Sequence, residues 1–74
     1  METTGTDGIA VRLNGQDLVL APGTTVADLL TRFGLDPAAI VVEMNGEILR
    51  RDQHPATDLT PGARVEIVHF VGGG

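Results

Sequence analysis

The sequence predicts an α+β fold in which one main helix packs across one face of a mixed five-stranded sheet. Two Asn-Gly pairs each stand between alternating apolar residues, which is typical of β-hairpins because a type I′ turn needs positive φ at both central positions. An apolar stripe of helical period separates the two hairpins, and a last run of β-branched residues follows them. The hydrophobic fraction of 42%, with only two aromatic residues, indicates a folded domain with an aliphatic core.

The first hairpin is predicted around Asn14-Gly15. Apolar and polar residues alternate over residues 9–13, and apolar residues return at 18–20. Ala21-Pro22-Gly23 has the composition of a turn and ends the second strand. Residues 1–8 are mostly small and polar, with no apolar run to bury, so we expect them to form a disordered lead-in.

The helix is predicted over about residues 26–33. Thr25 is a candidate N-cap, and Asp28 places a carboxylate near the positive end of the helix dipole. Gly34 fits the position just after a helix, and Leu35 is placed to make the apolar contact that follows it. Four apolar residues at spacings i, i+3, i+4 and i+7 form the stripe that we expect to face the core: Val26, Leu29, Leu30 and Phe33.

The second hairpin is predicted around Asn45-Gly46. Residues 40–44 form the most continuous apolar run, which predicts an internal strand buried on both faces, and residues 47–49 form its partner. The polar stretch 50–60 predicts a loop that Leu59 holds to the core.

The final strand is predicted after the Pro61-Gly62 turn. Val65 and Ile67 are expected to face the core because they alternate with polar or exposed positions. Alternation then places three residues on the opposite, exposed face: Glu66, Val68 and Phe70.

The order of these elements favours one topology. A first hairpin, a crossover helix and a last strand that returns beside the first strand make the ubiquitin-like β-grasp the simplest arrangement. The last strand is then central in the sheet, and the chain leaves the domain from it. We therefore expect a domain over residues 9–71 and a flexible glycine tail over residues 72–74.

Composition excludes several classes of function. Because the chain has no cysteine, disulfides, thiolate nucleophiles and Cys-based metal sites are excluded. The two histidines, His54 and His69, have no cluster of carboxylates beside them and are expected to be solvated or to cap backbone groups. No phosphate-binding glycine loop and no Ser/His/Asp arrangement is indicated by the spacing, so we expect no catalysis by the chain alone.

Charge and hydropathy bear on partners and location. The net charge of −5 is unfavourable for binding nucleic acid or anionic lipid. No apolar run is long enough to span a bilayer, and the first residues do not resemble a signal peptide. We therefore expect a cytoplasmic protein whose partners are other proteins.

Several stretches resemble the ThiS family, the sulfur carriers of thiamin biosynthesis. The residues that carry the resemblance are 25–30, 41–48, Arg51, His54 and, above all, 62–74. A terminal Gly-Gly is shared by all ubiquitin-like carriers, whereas Val-Gly-Gly-Gly after a strand of this composition is more specific. The resemblance covers about residues 9–74.

The resemblance implies a substrate protein rather than an enzyme. An adenylating partner would use ATP and Mg²⁺ to convert the carboxylate of Gly74 into an acyl-adenylate, and a sulfur donor system would convert the adenylate into a thiocarboxylate. Thiazole synthase would then take the sulfur, and the carrier itself would bind no cofactor. Gly72 and Gly73 are expected to thread into the partners' active sites, where a side chain would clash. Three residues at the base of the tail are expected to form the docking patch: Val68, Phe70 and Val71.

Two alternatives stay open. One is a carrier of the same chemistry for another pathway, either the small subunit of molybdopterin synthase or a cysteine-biosynthesis carrier. The molybdopterin subunit usually has prolines ahead of its terminal glycines, and this tail has none. The other alternative is a β-grasp interaction module that carries no sulfur, for which the terminal glycines would be incidental.

Overall fold

The structure is a computed structural model, and it describes residues 8–70. Within the predicted lead-in it describes only Gly8, which has no regular secondary structure and lies against Val19. No helix in the described part of the chain is long and apolar enough to cross a membrane. The elements are β1 (Ile9–Leu13), β2 (Gln16–Leu20), α1 (Val26–Arg32), a first 3₁₀ helix (Pro37–Ala39), β3 (Ile40–Met44), β4 (Glu47–Leu49), a second 3₁₀ helix (Arg51–Ala56) and β5 (Arg64–His69).

The five strands form one sheet in the order β2-β1-β5-β3-β4, with β5 at its centre. β1 and β5 run parallel, and the other neighbouring pairs are antiparallel. One face of the sheet packs against α1, and we call the opposite side the open face. This is the topology of the ubiquitin-like β-grasp, so the predicted fold class is confirmed.

The space between α1 and the sheet is filled by aliphatic residues. They come from α1, from four of the strands and from segments next to the strands. Val26, Leu29 and Leu30 are the buried residues of α1, and removing their side chains from water supplies a large share of the stabilisation. The buried hydrophobic residues are Val11, Leu20, Val26, Leu29, Leu30, Ile40, Val42, Leu59, Ala63, Val65 and Ile67.

Both predicted Asn-Gly hairpins are present. Asn14 and Gly15 have φ values of 49° and 82°, and Asn45 and Gly46 have φ values of 53° and 89°. Positive φ at both central positions is the requirement of a type I′ turn. The turn chemistry therefore sets the register of β1 with β2 and of β3 with β4.

α1 begins at the predicted residue, and the predicted glycine turn follows it. The Thr25 hydroxyl accepts a hydrogen bond from Asp28 N (3.1 Å), and Thr25 N donates one to the Asp28 carboxylate (3.0 Å), which makes a capping box. After the helix, Gly34 takes a φ of 68°. Leu35 N then donates to Leu30 O (2.9 Å), so the chain reverses through a Schellman-type turn.

The prediction for the last position of the apolar stripe is wrong. Phe33 is the C-cap of α1, which ends at Arg32, and 46% of the Phe33 surface is exposed. The left-handed turn at Gly34 carries the chain back toward the sheet, so Leu35 packs against the core in its place. The helical period stops one residue before the apolar sequence pattern does.

The prediction for β3 is half right. The strand is internal, since it pairs with β5 on one side and β4 on the other. Ile40 and Val42 are buried, whereas Val41 and Glu43 are half-buried. α1 covers only one face of the sheet, and alternate residues of β3 therefore lie on the open face.

The stretch predicted to be a loop contains the second 3₁₀ helix, Arg51–Ala56. Its start is closed by Arg50 N donating to the Gln53 side chain (2.7 Å) and by Gln53 N donating to Arg50 O (2.9 Å). Leu59 is buried as predicted, and its N–H donates to Thr24 O (2.9 Å). A short helix that is closed by polar side chains shows no apolar period in its sequence, which is why this stretch was predicted to be a loop.

The asparagines of the two turns also hold β5 in the sheet. The Asn14 side chain accepts a hydrogen bond from Ile67 N (2.8 Å) and donates one to Ile67 O (3.3 Å). On the other side, the Asn45 side chain accepts from Arg64 N (2.9 Å). Through these bonds the Asn14 side chain extends the short parallel pairing of β1 with β5 as far as Ile67.

Replacing Asn14 with glycine is expected to lower the free energy of unfolding by about 1–2 kcal/mol, because it removes both hydrogen bonds to β5. Glycine tolerates the positive φ of this position, so the turn itself is kept. Denaturant unfolding followed by circular dichroism measures the change. Asn45→Gly is the matched control, since it removes one side-chain hydrogen bond instead of two and should cost less. Equal stability of Asn14→Gly and the parent protein would contradict the role of this side chain.

Candidate functional site

The end of the central strand is the structural basis of the candidate site. Phe70 N donates to Ala39 O (2.9 Å), which continues the pairing of β5 with the β3 side up to the last described residue. Val68 and Phe70 are 61% and 59% exposed. Alternation along the last strand predicts that both side chains point away from the core, and in the structure both lie on the open face.

The remaining residues of the predicted site lie outside the described residues. They are Val71, Gly72, Gly73 and Gly74. Their roles in docking, threading and carrying sulfur stay predictions.

The open face has further apolar residues that the sequence analysis did not single out. Val41 stands opposite Val68 in the β3–β5 register. Ile48, on β4, is 68% exposed. Alternation within each strand was the available signal, because Val42 and Leu49 pack inward and their neighbours must then point outward.

His54 is not where the sequence analysis placed it. Only 3% of its surface is exposed, and neither ring nitrogen has a hydrogen-bond partner among the described residues. The second 3₁₀ helix contacts α1, and this packing turns the imidazole into the domain. The prediction of a solvated or capping side chain is therefore wrong for His54, whereas His69 is exposed.

Substitution of His54 by phenylalanine is expected to raise the free energy of unfolding by about 1 kcal/mol, because it removes two unpaired buried polar atoms and keeps a planar ring. Thermal unfolding monitored by circular dichroism tests this. His69→Phe is the control at the exposed histidine and should change stability by less than about 0.5 kcal/mol. A lower melting temperature for His54→Phe would show that the imidazole nitrogens matter to the fold.

Arg50 and Arg51 are both exposed and lie at the start of the second 3₁₀ helix. The Arg50 guanidinium donates two hydrogen bonds to the Asp52 carboxylate (3.3 and 3.1 Å). These bonds, and the charge of Arg50, lower the pKa of Asp52; the same bonds, and the charge of Asp52, raise the pKa of Arg50. The pair is fully exposed and does not involve the open face.

Within residues 8–70, no three histidine or acidic side chains come close enough together to hold a metal ion. The same part of the chain has two exposed apolar residues at its C-terminal end, Val68 and Phe70. What this geometry offers is a candidate protein-docking surface at the end of β5.

Comparisons with known proteins agree with this geometry. The ThiS family profile matches residues 8–74. The chain is 38% identical over 65 residues to the sulfur carrier protein ThiS of Bacillus subtilis, and the match covers 86% of this chain and 98% of that protein. The crystal structure of the thiamine biosynthesis protein ThiS from Geobacter metallireducens superposes with a TM-score of 0.77 at 32% identity, over 89% of this chain and all of that one.

A third relative differs in length. The chain is 36% identical over 64 residues to a thiazole synthase of Magnetococcus marinus, which covers 86% of this chain but only 20% of that protein. That enzyme therefore contains a similar domain within a much longer chain. Because the family profile matches nearly the whole sequence and the Bacillus carrier is matched almost end to end, the chain belongs to the ThiS family.

Proposed function

We propose that this member of the ThiS family carries sulfur for thiamin biosynthesis on the carboxyl group of Gly74. The observation that supports it most is the family match, which extends through the terminal glycines to residue 74. The exposed apolar residues at the end of β5 support it further, because they lie directly before that tail.

The chemistry needs only the terminal carboxylate of the carrier. An α-carboxyl group is ionised at neutral pH, so one of its oxygens can attack the α-phosphorus of ATP, and pyrophosphate leaves. Adenylation thereby turns a carboxylate oxygen, which is a poor leaving group, into part of AMP, which is a good one. Sulfide from the donor system then attacks the activated carbonyl carbon as HS⁻, AMP leaves with the bonding electron pair, a proton is released, and the thiocarboxylate remains.

The carrier is a substrate in each of these steps and not the catalyst. An adenylating enzyme would bind ATP and Mg²⁺, a sulfur donor system would supply the sulfur, and thiazole synthase would receive it. All three would act in the cytoplasm. That a thiazole synthase contains a domain similar to this chain supports that enzyme as a partner, because domains joined in one protein often act together when they are separate.

The glycine tail is suited to entering such active sites. Gly72 and Gly73 have no Cβ, so an extended tail needs only a narrow channel. Val68, Phe70 and Val71 would dock at the mouth of that channel. The sheet behind them is rigid, since β5 has a strand on each side.

Intact-protein mass spectrometry tests the function. The carrier is incubated with the adenylating enzyme, ATP, Mg²⁺ and a sulfur donor. A carrier gains the mass difference between sulfur and oxygen, whereas an interaction module without carrier function keeps its mass. Complementation of strains lacking the thiamin or the molybdopterin carrier then decides between the pathways.

A further inference from the structure

On the open face, residues of β5 stand opposite residues of the same kind on the neighbouring strands. Arg64 stands opposite Arg12 in the parallel register with β1, and we call these two the basic row. Glu66 stands opposite Glu43 in the register with β3, and Val68 stands opposite Val41. We call these pairs the acidic row and the apolar row.

Two of these rows oppose the stability of the isolated domain. Like charges directly opposite each other in a sheet are destabilising. Arg12 has one acidic neighbour, Asp17, at 3.5 Å. Within the described residues, Arg64, Glu43 and Glu66 form no ion pair. The folding of the domain therefore does not explain why like charges are paired here.

The rows follow one another in a fixed order toward the tail. Residues two apart on a strand are about 7 Å apart, so the basic row lies about 14 Å from the apolar row. Beside the basic row is a cleft of about 190 Å³, which is lined by Arg12, Gly15, Arg64, Val65 and, at the acidic row, Glu66. The cleft has room for a side chain of another protein beside Arg12 and Arg64.

We propose that the three rows are an ordered docking surface for thiazole synthase. Its complementary surface presents acidic, basic and apolar side chains in that order, at about 7 Å spacing, toward the mouth of its active site. Each like-charged row would then face opposite charges on the partner. In the reverse orientation the basic row would lie against apolar side chains and the apolar row against acidic ones, which would leave desolvated charges unpaired. The rows therefore direct the tail into the active site. This inference rests on the proposed function.

Thiazole synthase is the occupant that the relatives favour. Two curated thiazole synthases, from Magnetococcus marinus and Paramagnetospirillum magneticum, contain a domain 36% and 34% identical to this chain. Such a domain is held next to its synthase permanently, whereas a separate carrier has to find the correct orientation at each encounter. Charge rows serve this purpose, because they steer association and suppress wrong orientations.

A charge swap within β5 tests the proposal. The variant Arg64→Glu with Glu66→Arg keeps the net charge, but it reverses the order of the rows at the central strand. Each swapped residue then faces an opposite charge, Arg12 or Glu43, so the melting temperature is expected to rise. Affinity for the organism's own thiazole synthase, measured by isothermal titration calorimetry, is nevertheless expected to fall about tenfold or more.

The control is a swap at a distant pair. Arg50→Asp with Asp52→Arg exchanges the charges of an exposed pair 3.1 Å apart on the second 3₁₀ helix and should leave the affinity unchanged. Parent-like affinity of the β5 swap would overturn the proposal. The unmodified protein supplies a second measurement: its affinity should weaken as ionic strength rises, and an affinity independent of salt would also overturn it.

Sulfur loading separates this proposal from the proposed function. If the parent protein gains no sulfur from the adenylating enzyme and donor, the carrier function fails. If the parent loads sulfur normally and the β5 swap binds thiazole synthase as tightly as the parent does, only the ordered docking surface fails.

Discussion

Deletion of Gly74 is expected to abolish sulfur loading while the domain stays as stable as before. The truncated chain still ends in a carboxylate, but its reach beyond Phe70 is shorter by about 3.5 Å. An attacking carboxylate oxygen must approach the α-phosphorus to about 3–3.5 Å, and a displacement of 1 Å can already cost about a hundredfold in rate. We therefore expect the initial rate of sulfur loading, measured by intact mass, to fall by more than about a hundredfold.

Two measurements complete this experiment. The melting temperature of the truncated protein should equal that of the parent, because Gly74 follows Ile67, the last buried core residue among residues 8–70, by seven positions in the chain. Gly74→Ala is the matched variant: it keeps the length of the tail and adds one methyl group, so it separates reach from tolerance of a side chain. Normal loading of the truncated protein would show that the carboxylate of Gly74 is not the group that is activated.

The parts of the fold that depend on local chemistry were predictable from the sequence. The two hairpins could be predicted at Asn14-Gly15 and Asn45-Gly46, because few other residue pairs accept two successive positive φ values. Thr25 and Asp28 mark the start of α1 by the spacing of a capping box. The central place of β5 followed from topology, since the predicted arrangement returns the last strand beside the first.

The errors arose where long-range packing decides the outcome. Phe33 has the right spacing for the core, yet the helix ends before it and Leu35 takes the space. His54 looks like a solvated loop residue, yet the second 3₁₀ helix packs it against the domain without a hydrogen-bond partner among residues 8–70. Neither outcome can be obtained from a period or a turn motif, because both depend on which segments meet in three dimensions.

The candidate site was predictable only in part. Alternation in β5 identifies Val68 and Phe70 as outward residues once Val65 is assigned to the core. The pairing of Glu66 with Glu43 and of Arg64 with Arg12 requires the register between strands, and the apolar pattern alone does not set that register for strands distant in sequence. The rows of the open face are therefore a property of the fold.

Phe70→Glu is expected to weaken binding to the carrier's partners by about thirtyfold or more, without loss of stability. An aromatic side chain at the centre of an interface commonly contributes about 2 kcal/mol or more, which corresponds to this factor. Phe70 is 59% exposed in the free domain, and its hydrogen bond to Ala39 uses the backbone N–H, which glutamate retains. The added carboxylate would have to be desolvated inside an apolar contact, which opposes association. Calorimetric titration with thiazole synthase and with the adenylating enzyme measures the effect.

The sequence contains its own matched control for this substitution. Phe33 and Phe70 are the two aromatic residues of the chain, and both are about half exposed, at 46% and 59%. Phe33 lies at the end of α1, which packs on the face of the sheet opposite the open face, so Phe33→Glu adds the same charge without touching the proposed docking patch. Equal losses of affinity in the two variants would indicate a general effect of charge, and a lowered melting temperature for Phe70→Glu would place Phe70 in the core. Loss of affinity in Phe70→Glu alone, with an unchanged melting temperature, is the result that a docking role for Phe70 requires.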